Sequence, residues 1–345
     1  DVLSGYIKVQ KSGVNYKARC PFHNEKTPSF YISPERQIWH CFGCSKGGDI
    51  FAFVKDIEGV EFPEALRILA QKAGIEIDQR FDPAIKNEKT QLHKISETAT
   101  RFFEKQLQES NYGKKAMEYL TSRGLLASTI KEFRLGYAPN DWYSLNKFLQ
   151  SCGFAKKEIV DAGLASQKEG RTDIYDRFRS RITFPIFDLN GEVVGFTGRI
   201  FVLPGQGDAA QDKEIAKYIN TPQTQIYDKS RVIYGLHKAK AEIRTNNRCV
   251  LVEGNMDMLM SYQAGVRNVI ASSGTALTPN HLKLLGRYTN NLSFCFDTDQ
   301  AGAIATKRGI GLALKQNFNI NVISINDKEC KDPADYVQKY GEKWS

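Results

Sequence analysis

The spacing of apolar and polar positions changes several times along the chain, and each change marks a predicted element. Around residues 29–33 and 37–40 short strands alternate with turn residues, and Gly43 and Gly47-Gly48 supply further turns. Asp49 has the character of an N-cap ahead of Ile50-Phe51-Ala52-Phe53-Val54, and an amphipathic helix is predicted from about Pro63 to Lys72. The run from Asp78 to Ala84 is polar and interrupted by proline, so a domain boundary is placed there. A fresh helical pattern runs from Glu88 to about Gln108. Residues 111–161 read as mainly helical, with breaks at Gly124, Gly136-Tyr137-Ala138-Pro139 and Gly153.

At Arg181 the period shortens. Ile182 to Ile186 and Val193 to Phe196 flank Asp188-Leu189-Asn190-Gly191, a hairpin signal. Leu203 to Asp208 reads as a mobile polar loop. Upstream, Arg177, Arg179 and Arg181 are spaced by two, which on an extended chain puts three guanidiniums on one face. Arg199, Lys217 and Lys229 follow; by charge pattern alone such residues form a solvated basic face.

In the last third, strands and helices alternate as in a parallel sheet. Cys249-Val250-Leu251-Val252 is an apolar run ending in Glu253, and Met256 to Ala264 has helical composition. Asn268 to Ala271 is predicted as a strand, Pro279 to Arg287 as a helix, and Leu292 to Phe296 as a strand ending in Asp297-Thr298-Asp299. Glu253 therefore sits at the carboxyl end of a buried strand, where open α/β sheets place ligands. Asp297 and Asp299, at i and i+2 on an extended tip, point the same way and with Glu253 would form an all-oxygen cluster. Such donors select Mg2+ or Mn2+ over zinc. Asp257, one helical turn after Glu253, either adds a carboxylate or only favours a helix N-terminus.

With 345 residues the chain is expected to form two or three compact units, and its formal charge of +9 suggests a polyanionic partner. Seven cysteines without a pairing pattern favour a reducing compartment. No run of eighteen apolar residues and no signal peptide are present, so a soluble, cytoplasmic protein is expected, away from membranes. The start at Asp1, without methionine, suggests that some N-terminal sequence is missing. There is no G-x4-G-K-[ST] phosphate loop.

Four of the remaining residues carry the most specific chemistry. Cys20-x2-His23 is followed, after seventeen residues, by Cys41-x2-Cys44, the spacing of one structural zinc site. With the short strands around it, this reads as a zinc ribbon. His40 is a competing ligand, but neighbouring side chains of a strand point to opposite faces, which favours His23. Lys17, Arg19, Lys26, Arg36 and Lys46 mingle with Phe30, Tyr31, Trp39 and Phe42, a mixture that either contacts single-stranded nucleic acid or fills the small core.

These features resemble the bacterial DnaG-type DNA primase family: a CHC2-type zinc-binding domain followed by an RNA polymerase core containing a Toprim module. The resemblance rests on Cys20 to Phe30, Trp39 to Cys44, Asp176 to Ile186, Gly195 to Arg199, Lys217 to Pro222, Glu253 to Asp257, Ala271 to Ala276 and Phe296 to Gly302, in the family's order. It implies a multidomain α/β and α+β protein: a zinc-ribbon DNA-binding domain at 1–80, a linker at 81–90, a mixed N-terminal core subdomain at 91–240, a Toprim subdomain with a mainly parallel sheet at 241–330, and the core's end at 331–345, the helicase-binding domain being absent. It implies that Cys20, His23, Cys41 and Cys44 hold zinc, that Glu253, Asp297 and Asp299 are catalytic and hold magnesium, and that Asp257 and Asp332 are further candidates. Arg177, Arg179, Arg199, Lys217 and Lys229 then meet nucleotide or template.

The implied activity is DNA-directed RNA polymerisation of short primers for replication from ribonucleoside triphosphates, leaving an RNA–DNA hybrid. A replicative helicase and a single-stranded DNA-binding protein are partners implied by the family, at the bacterial replication fork. The sequence departs from the family at Asn255, Thr298 and Ala334. The last replaces an acid of Asp-Pro-Asp in Asp332-Pro333-Ala334-Asp335, leaving open whether Asp335 reaches the site. Two other readings remain: a Toprim nuclease or topoisomerase, and a non-catalytic single-stranded DNA-binding protein. Substituting Glu253 separates the last from an enzyme.

Overall fold

The computed structural model describes residues 2–344 except 24, 26, 59, 61, 76–82, 168–169, 171–172, 203–215, 298–299 and 328, and leaves out the side chains of 64, 83–87, 300, 301, 303, 304 and 342. Two units are present, Asp1–Pro83 and Ala84–Ser345. Lys26, most of the polar run at 78–84, the loop predicted at 203–208, and Asp299 lie outside the described residues. Among the described residues no helix is long and apolar enough to cross a membrane.

The first unit is an antiparallel sheet of β1 (Gln10–Ser12), β2 (Asn15–Ala18), β3 (Phe30–Ser33), β4 (Ile38–Cys41) and β5 (Gly47–Gly48), followed by α1 (Ile50–Glu58) and α2 (Phe62–Ala73). Asp49 caps α1 as its spacing predicts, its Oδ1 accepting the Ala52 N–H at 2.8 Å. Strand alternation sorts the aromatics. Phe30 and Trp39 are buried and stacked, with ring centres 4.9 Å apart, and they pack on Phe53 of α1. The Trp39 indole N–H is satisfied by Asp49 O at 2.8 Å. Tyr31 and Phe42 lie on the exposed side and touch edge to face. The small core therefore consumes Phe30 and Trp39 and leaves the other two to solvent.

The second unit opens with α3 (Pro83–Glu109), which starts five residues before the predicted helix. Then come α4 (Asn111–Ser122), α5 (Ala127–Glu132), β6 (Gly136–Ala138), α6 (Ser144–Ser151), α7 (Lys156–Asp161), β7 (Ala165–Gln167), β8 (Ile174–Asp176), β9 (Arg181–Phe187), β10 (Val193–Ile200) and β11 (Tyr218–Asn220). Residues 136–138, expected as a break between helices, form a buried strand on the edge of the sheet β11-β10-β9-β6. The predicted hairpin joins β9 to β10, with Gly191 at φ 85° in its turn.

The chain continues through α8 (Leu236–Asn246), β12 (Cys249–Val252), α9 (Asn255–Gln263), β13 (Val269–Ala271), α10 (Pro279–Leu285), β14 (Asn291–Cys295), α11 (Gln300–Leu314), β15 (Asn319–Val322) and α12 (Pro333–Tyr340). Strands β13-β12-β14-β15 form a parallel sheet. Helix α8 straddles residue 240, and its Leu236, Ala239 and Ile243 pack in one core with Cys249 and Leu251 of β12. The two sheets share another core, in which Ile182 and Phe184 of β9 join Val250 and Val252 of β12. Just before α8, Tyr234 forms an isolated antiparallel bridge with Ala271 at the end of β13.

Candidate active site and metal centres

In the first unit the four predicted zinc ligands converge. One ligand atom each from Cys20, His23, Cys41 and Cys44 lies within 4.8 Å of the others. Cys20 Sγ is 3.8 Å from Cys44 Sγ, and Cys41 Sγ is 3.7 Å from His23 Nδ1. A tetrahedron with zinc–sulfur bonds of about 2.3 Å has edges of about 3.8 Å, so these separations fit zinc. His40, the competing candidate, is exposed on the opposite strand face and meets Phe42 edge to face. Burial pushes the Cys20 thiol well above its ordinary value. A bound dication would favour the thiolate and reverse that direction.

Glu25 is a member of this centre that the spacing did not point to. Its Oε1 accepts the N–H groups of Cys20 at 2.6 Å and Ser29 at 3.1 Å, and its Oε2 accepts the Ser29 hydroxyl and lies 3.4 Å from His23 Nε2. Burial works to raise this carboxyl, yet the bonds from Ser29 and Cys20 and the nearby His23 hold it below its ordinary value. A carboxylate on the far nitrogen fixes a ligating imidazole's tautomer and direction. The signal was an acid two residues after the ligand histidine.

In the second unit the acids gather where the parallel sheet ends. Glu253 directly follows β12, and Asp297 stands two residues beyond β14, the strand beside it. Gly302 in the first turn of α11 packs against the Asp297 backbone so closely that a Cβ there would collide with Asp297 O. Asp257, on α9, is 6% exposed; its Oδ2 accepts the Gly254 N–H at 3.0 Å and its Oδ1 accepts the Ala334 N–H at 3.2 Å. Burial pushes this carboxyl well up, and the charges of Asp332 and Asp297 push it further. Asp332 is also raised, by burial first.

Asp297 and Asp332 are therefore both within electrostatic reach of Asp257. Among the described residues, which exclude Asp299, the Cys/His set is the group with ligand atoms close enough together to hold a metal ion. Hard oxygen donors, two of which raise the proton affinity of Asp257, fit a divalent cation, which would relieve that repulsion.

Asp332 caps α12, its Oδ1 accepting the Asp335 N–H at 2.7 Å. Asp335 is engaged elsewhere: Oδ1 lies 3.6 Å from the Arg123 guanidinium and Oδ2 accepts the Lys331 N–H at 3.3 Å. The methyl group of Ala334 is buried, and only its backbone N–H serves the acids, through Asp257.

The basic residues do not follow the extended-chain expectation. Strand β8 ends at Asp176, the chain bends, and Ser180 takes a left-handed φ of 48° before β9 begins. Arg181 is 6% exposed and donates to Gly198 O at 3.0 Å and Ala216 O at 3.0 Å. Burial and then the charges of Arg179 and Arg177 lower it to about 10. The three guanidiniums are thus neighbours, but one of them ties backbone carbonyls inside the fold.

Arg177 donates twice to Asn220 O, at 3.2 and 3.0 Å, and burial lowers it. Arg179 lies 3.8 Å over the Trp142 ring, donates to Asp176 O, and is also lowered by burial. Arg199 lies 4.8 Å over Tyr119, and Lys217 is exposed beside Tyr218. Lys229 is held from another element, its carbonyl oxygen 2.9 Å from His281 Nε2 of α10.

A short path of contacts joins Arg177 to the backbone of Glu253. Asn220 Nδ2 donates to Ser273 O at 3.3 Å, and Ser273 N donates to Glu253 O at 3.0 Å. Ser273 Oγ also meets Thr197 Oγ1 of β10 at 3.2 Å. Arg177, bonded to Asn220 of β11, and the end of β12 at Glu253 thus meet through Ser273.

Known proteins match this arrangement along its whole length. Residues 1–84 match the family model described as CHC2 zinc finger, 102–240 the DNA primase catalytic core N-terminal domain, and 250–337 the Toprim-like model. The DNA primase of Clostridium acetobutylicum is 38% identical across 99% of this chain and 55% of its own length. That of Halalkalibacterium halodurans is also 38% identical, with the same coverage. The chain thus spans about half the length of the curated relatives it matches. Among solved structures, the Aquifex aeolicus primase (zinc binding and RNA polymerase domains) is 32% identical, with a TM-score of 0.66 over 99% of this chain and 80% of that one. A DnaG primase catalytic domain bound to single-stranded DNA is 31% identical, with a TM-score of 0.63 over 75% of this chain and 77% of that one. The zinc ribbon, the mixed core and the parallel sheet therefore follow one another as in these relatives, and the chain belongs to the bacterial DnaG-type DNA primase family.

Proposed function

We propose that this chain synthesises short RNA primers on single-stranded DNA by metal-assisted nucleotidyl transfer from ribonucleoside triphosphates. The observation that carries the reading is the junction at which Arg177, Asn220 and Ser273 link by hydrogen bonds to the backbone of Glu253, while the charge of Asp297, which follows the neighbouring parallel strand, acts on Asp257. In the reaction a primer 3′-oxygen bonds to the α-phosphorus of the incoming triphosphate, and the bond to pyrophosphate breaks. Glu253, Asp297 and Asp299, with Asp257 and Asp332 as further candidates, would hold one or more Mg2+ or Mn2+ ions, which when bound lower the charge on the triphosphate and stabilise the leaving pyrophosphate.

The protein's own side chains bind and orient. Arg177, Arg179, Arg199, Lys217 and Lys229 supply cations for triphosphate and template, and no residue forms a covalent bond with substrate. Asp257 holds α9 to the start of α12 through Ala334 N, which keeps Asp332 within electrostatic reach of Asp257. Cys20, His23, Cys41 and Cys44 hold a structural zinc; the exposed Tyr31 and Phe42 offer the ribbon a surface for unpaired bases.

The same reading assigns 1–80 to the zinc-ribbon domain, 81–90 to a linker, 91–240 to the N-terminal core, 241–330 to Toprim and 331–345 to the core's end. It places the protein in the bacterial cytoplasm at the replication fork, with a helicase and a single-stranded DNA-binding protein as partners. The test is incorporation of labelled ribonucleotides on single-stranded DNA. Short RNA that requires template and divalent cation supports the reading; cleavage of the DNA in place of synthesis supports the nuclease alternative.

A further inference from the structure

Away from the acids, the loop 276–279 and helix α11 enclose an open groove of about 420 Å3. Lys307 and Arg308 lie on α11 and Lys315 at its end, and all three are exposed. Their spacing, i, i+1 and i+8, keeps them along one side of the helix. Among the described residues none of them forms an ion pair within 4.0 Å, whereas Lys238 pairs with Glu132 and Arg199 lies over Tyr119. The floor is different in kind: Leu277 is 7% exposed, Leu312 is half-buried, and Gly311 has open space where a Cβ would stand. No aromatic side chain lines the groove among the described residues.

We propose that this groove docks an acidic peptide segment of a partner protein, with an apolar side chain of that segment on the leucine floor. Charge complementarity selects the class of partner. Three unpaired cations call for several negative charges, and the apolar floor calls for a hydrophobic anchor within the same ligand. A nucleic-acid strand satisfies the first demand only. Its phosphates gain nothing from Leu277 and Leu312, and its bases find no ring on which to stack. Lys307 and Lys315 are eight residues apart, about 12 Å along the helix, which an extended peptide spans in about four residues. Bare Gly311 lets such a backbone approach α11 closely.

The test uses the full chain and fluorescein-labelled peptides, with binding read by anisotropy. The probe is four aspartates followed by leucine and phenylalanine; the controls are six aspartates, the same probe with asparagine for aspartate, and an oligothymidylate of equal charge. The groove predicts saturable binding of the probe and at least tenfold weaker binding of both control peptides. Gly311→Glu and the pair Lys307→Glu with Lys315→Glu should each weaken the probe by tenfold or more, with ribonucleotide incorporation on DNA unchanged. Circular dichroism melts that match the parent show that the variants fold.

Two results would overturn the proposal. One is probe binding that is absent, or indifferent to these substitutions. The other is an oligothymidylate affinity that falls with them as steeply as the probe's, which would make the groove part of a nucleic-acid track. Because the readout is peptide binding, it is independent of whether the acids at the junction synthesise RNA.

Discussion

Removing zinc should unfold the first unit and leave the second standing. The unit spans 83 residues, Asp1–Pro83. At about 0.05–0.15 kcal/mol per residue, a domain of that size is stable by about 4–12 kcal/mol with its metal in place. Structural zinc in small domains contributes about 10–16 kcal/mol near neutral pH, which equals or exceeds the whole of that stability. The ligand atoms here are already held at tetrahedral separations by β4 and its turn on one side and by Glu25 on the other, so the binding energy is spent on the fold. Trp39 is a built-in reporter: it is 3% exposed, stacked on Phe30, and bonded to Asp49 O. Chelation, or Cys44→Ser, should shift its emission to the red. A separate cooperative melt from residues 84–345 should persist. Retention of the blue Trp39 emission after complete removal of zinc would refute the argument.

Four smaller predictions follow from the same geometry. Glu25→Gln should lower zinc affinity by about 10–100-fold, read by competition with a chelating dye, because His23 loses the carboxylate on its far nitrogen. Without divalent cation, Asp297→Asn should raise the melting temperature of the second unit, since it removes a charge that repels Asp257; with Mg2+ or Mn2+ the increment seen in the parent should shrink. Lys217→Ala should reduce the salt slope of single-stranded DNA binding by about 0.7, the share of one phosphate. Asp176 is raised to about 6 by burial, despite accepting the N–H groups of Leu145 and Asn146. Its folded value lies above its unfolded one, so its cost grows as pH rises; stability from this group should be about 1 kcal/mol greater at pH 5 than at pH 7, a difference that Asp176→Asn removes in urea unfolding.

Much of this was legible in the sequence because the decisive signals are local. Two pairs of ligands at fixed spacing define the zinc centre, and apolar runs at Cys249–Val252 and Leu292–Cys295 end in the acids, as parallel strands do at their ligand-binding edge. What the sequence concealed depends on contacts between distant residues. Asp257 reads either as a metal ligand or as a helix-start acid. Only the fold shows it bonded to Ala334 N, 77 residues later. The stretch 136–138 lies between helices and is bounded by glycine and proline, too short for a period; it becomes a strand because β9 offers it an edge. The spacing of Arg177, Arg179 and Arg181 suggested one exposed face. The bend at 177–180 and the carbonyls of Gly198 and Ala216 draw Arg181 inside instead.

The most direct measurement is dinucleotide formation on single-stranded DNA in Mn2+, made side by side for the parent chain and Glu253→Gln, with DNA affinity determined on the same samples. The account predicts that the parent forms the dinucleotide and that Glu253→Gln loses it by at least a hundredfold while binding DNA as tightly. Equal synthesis by both proteins would contradict the assignment of chemistry to the ends of the parallel sheet.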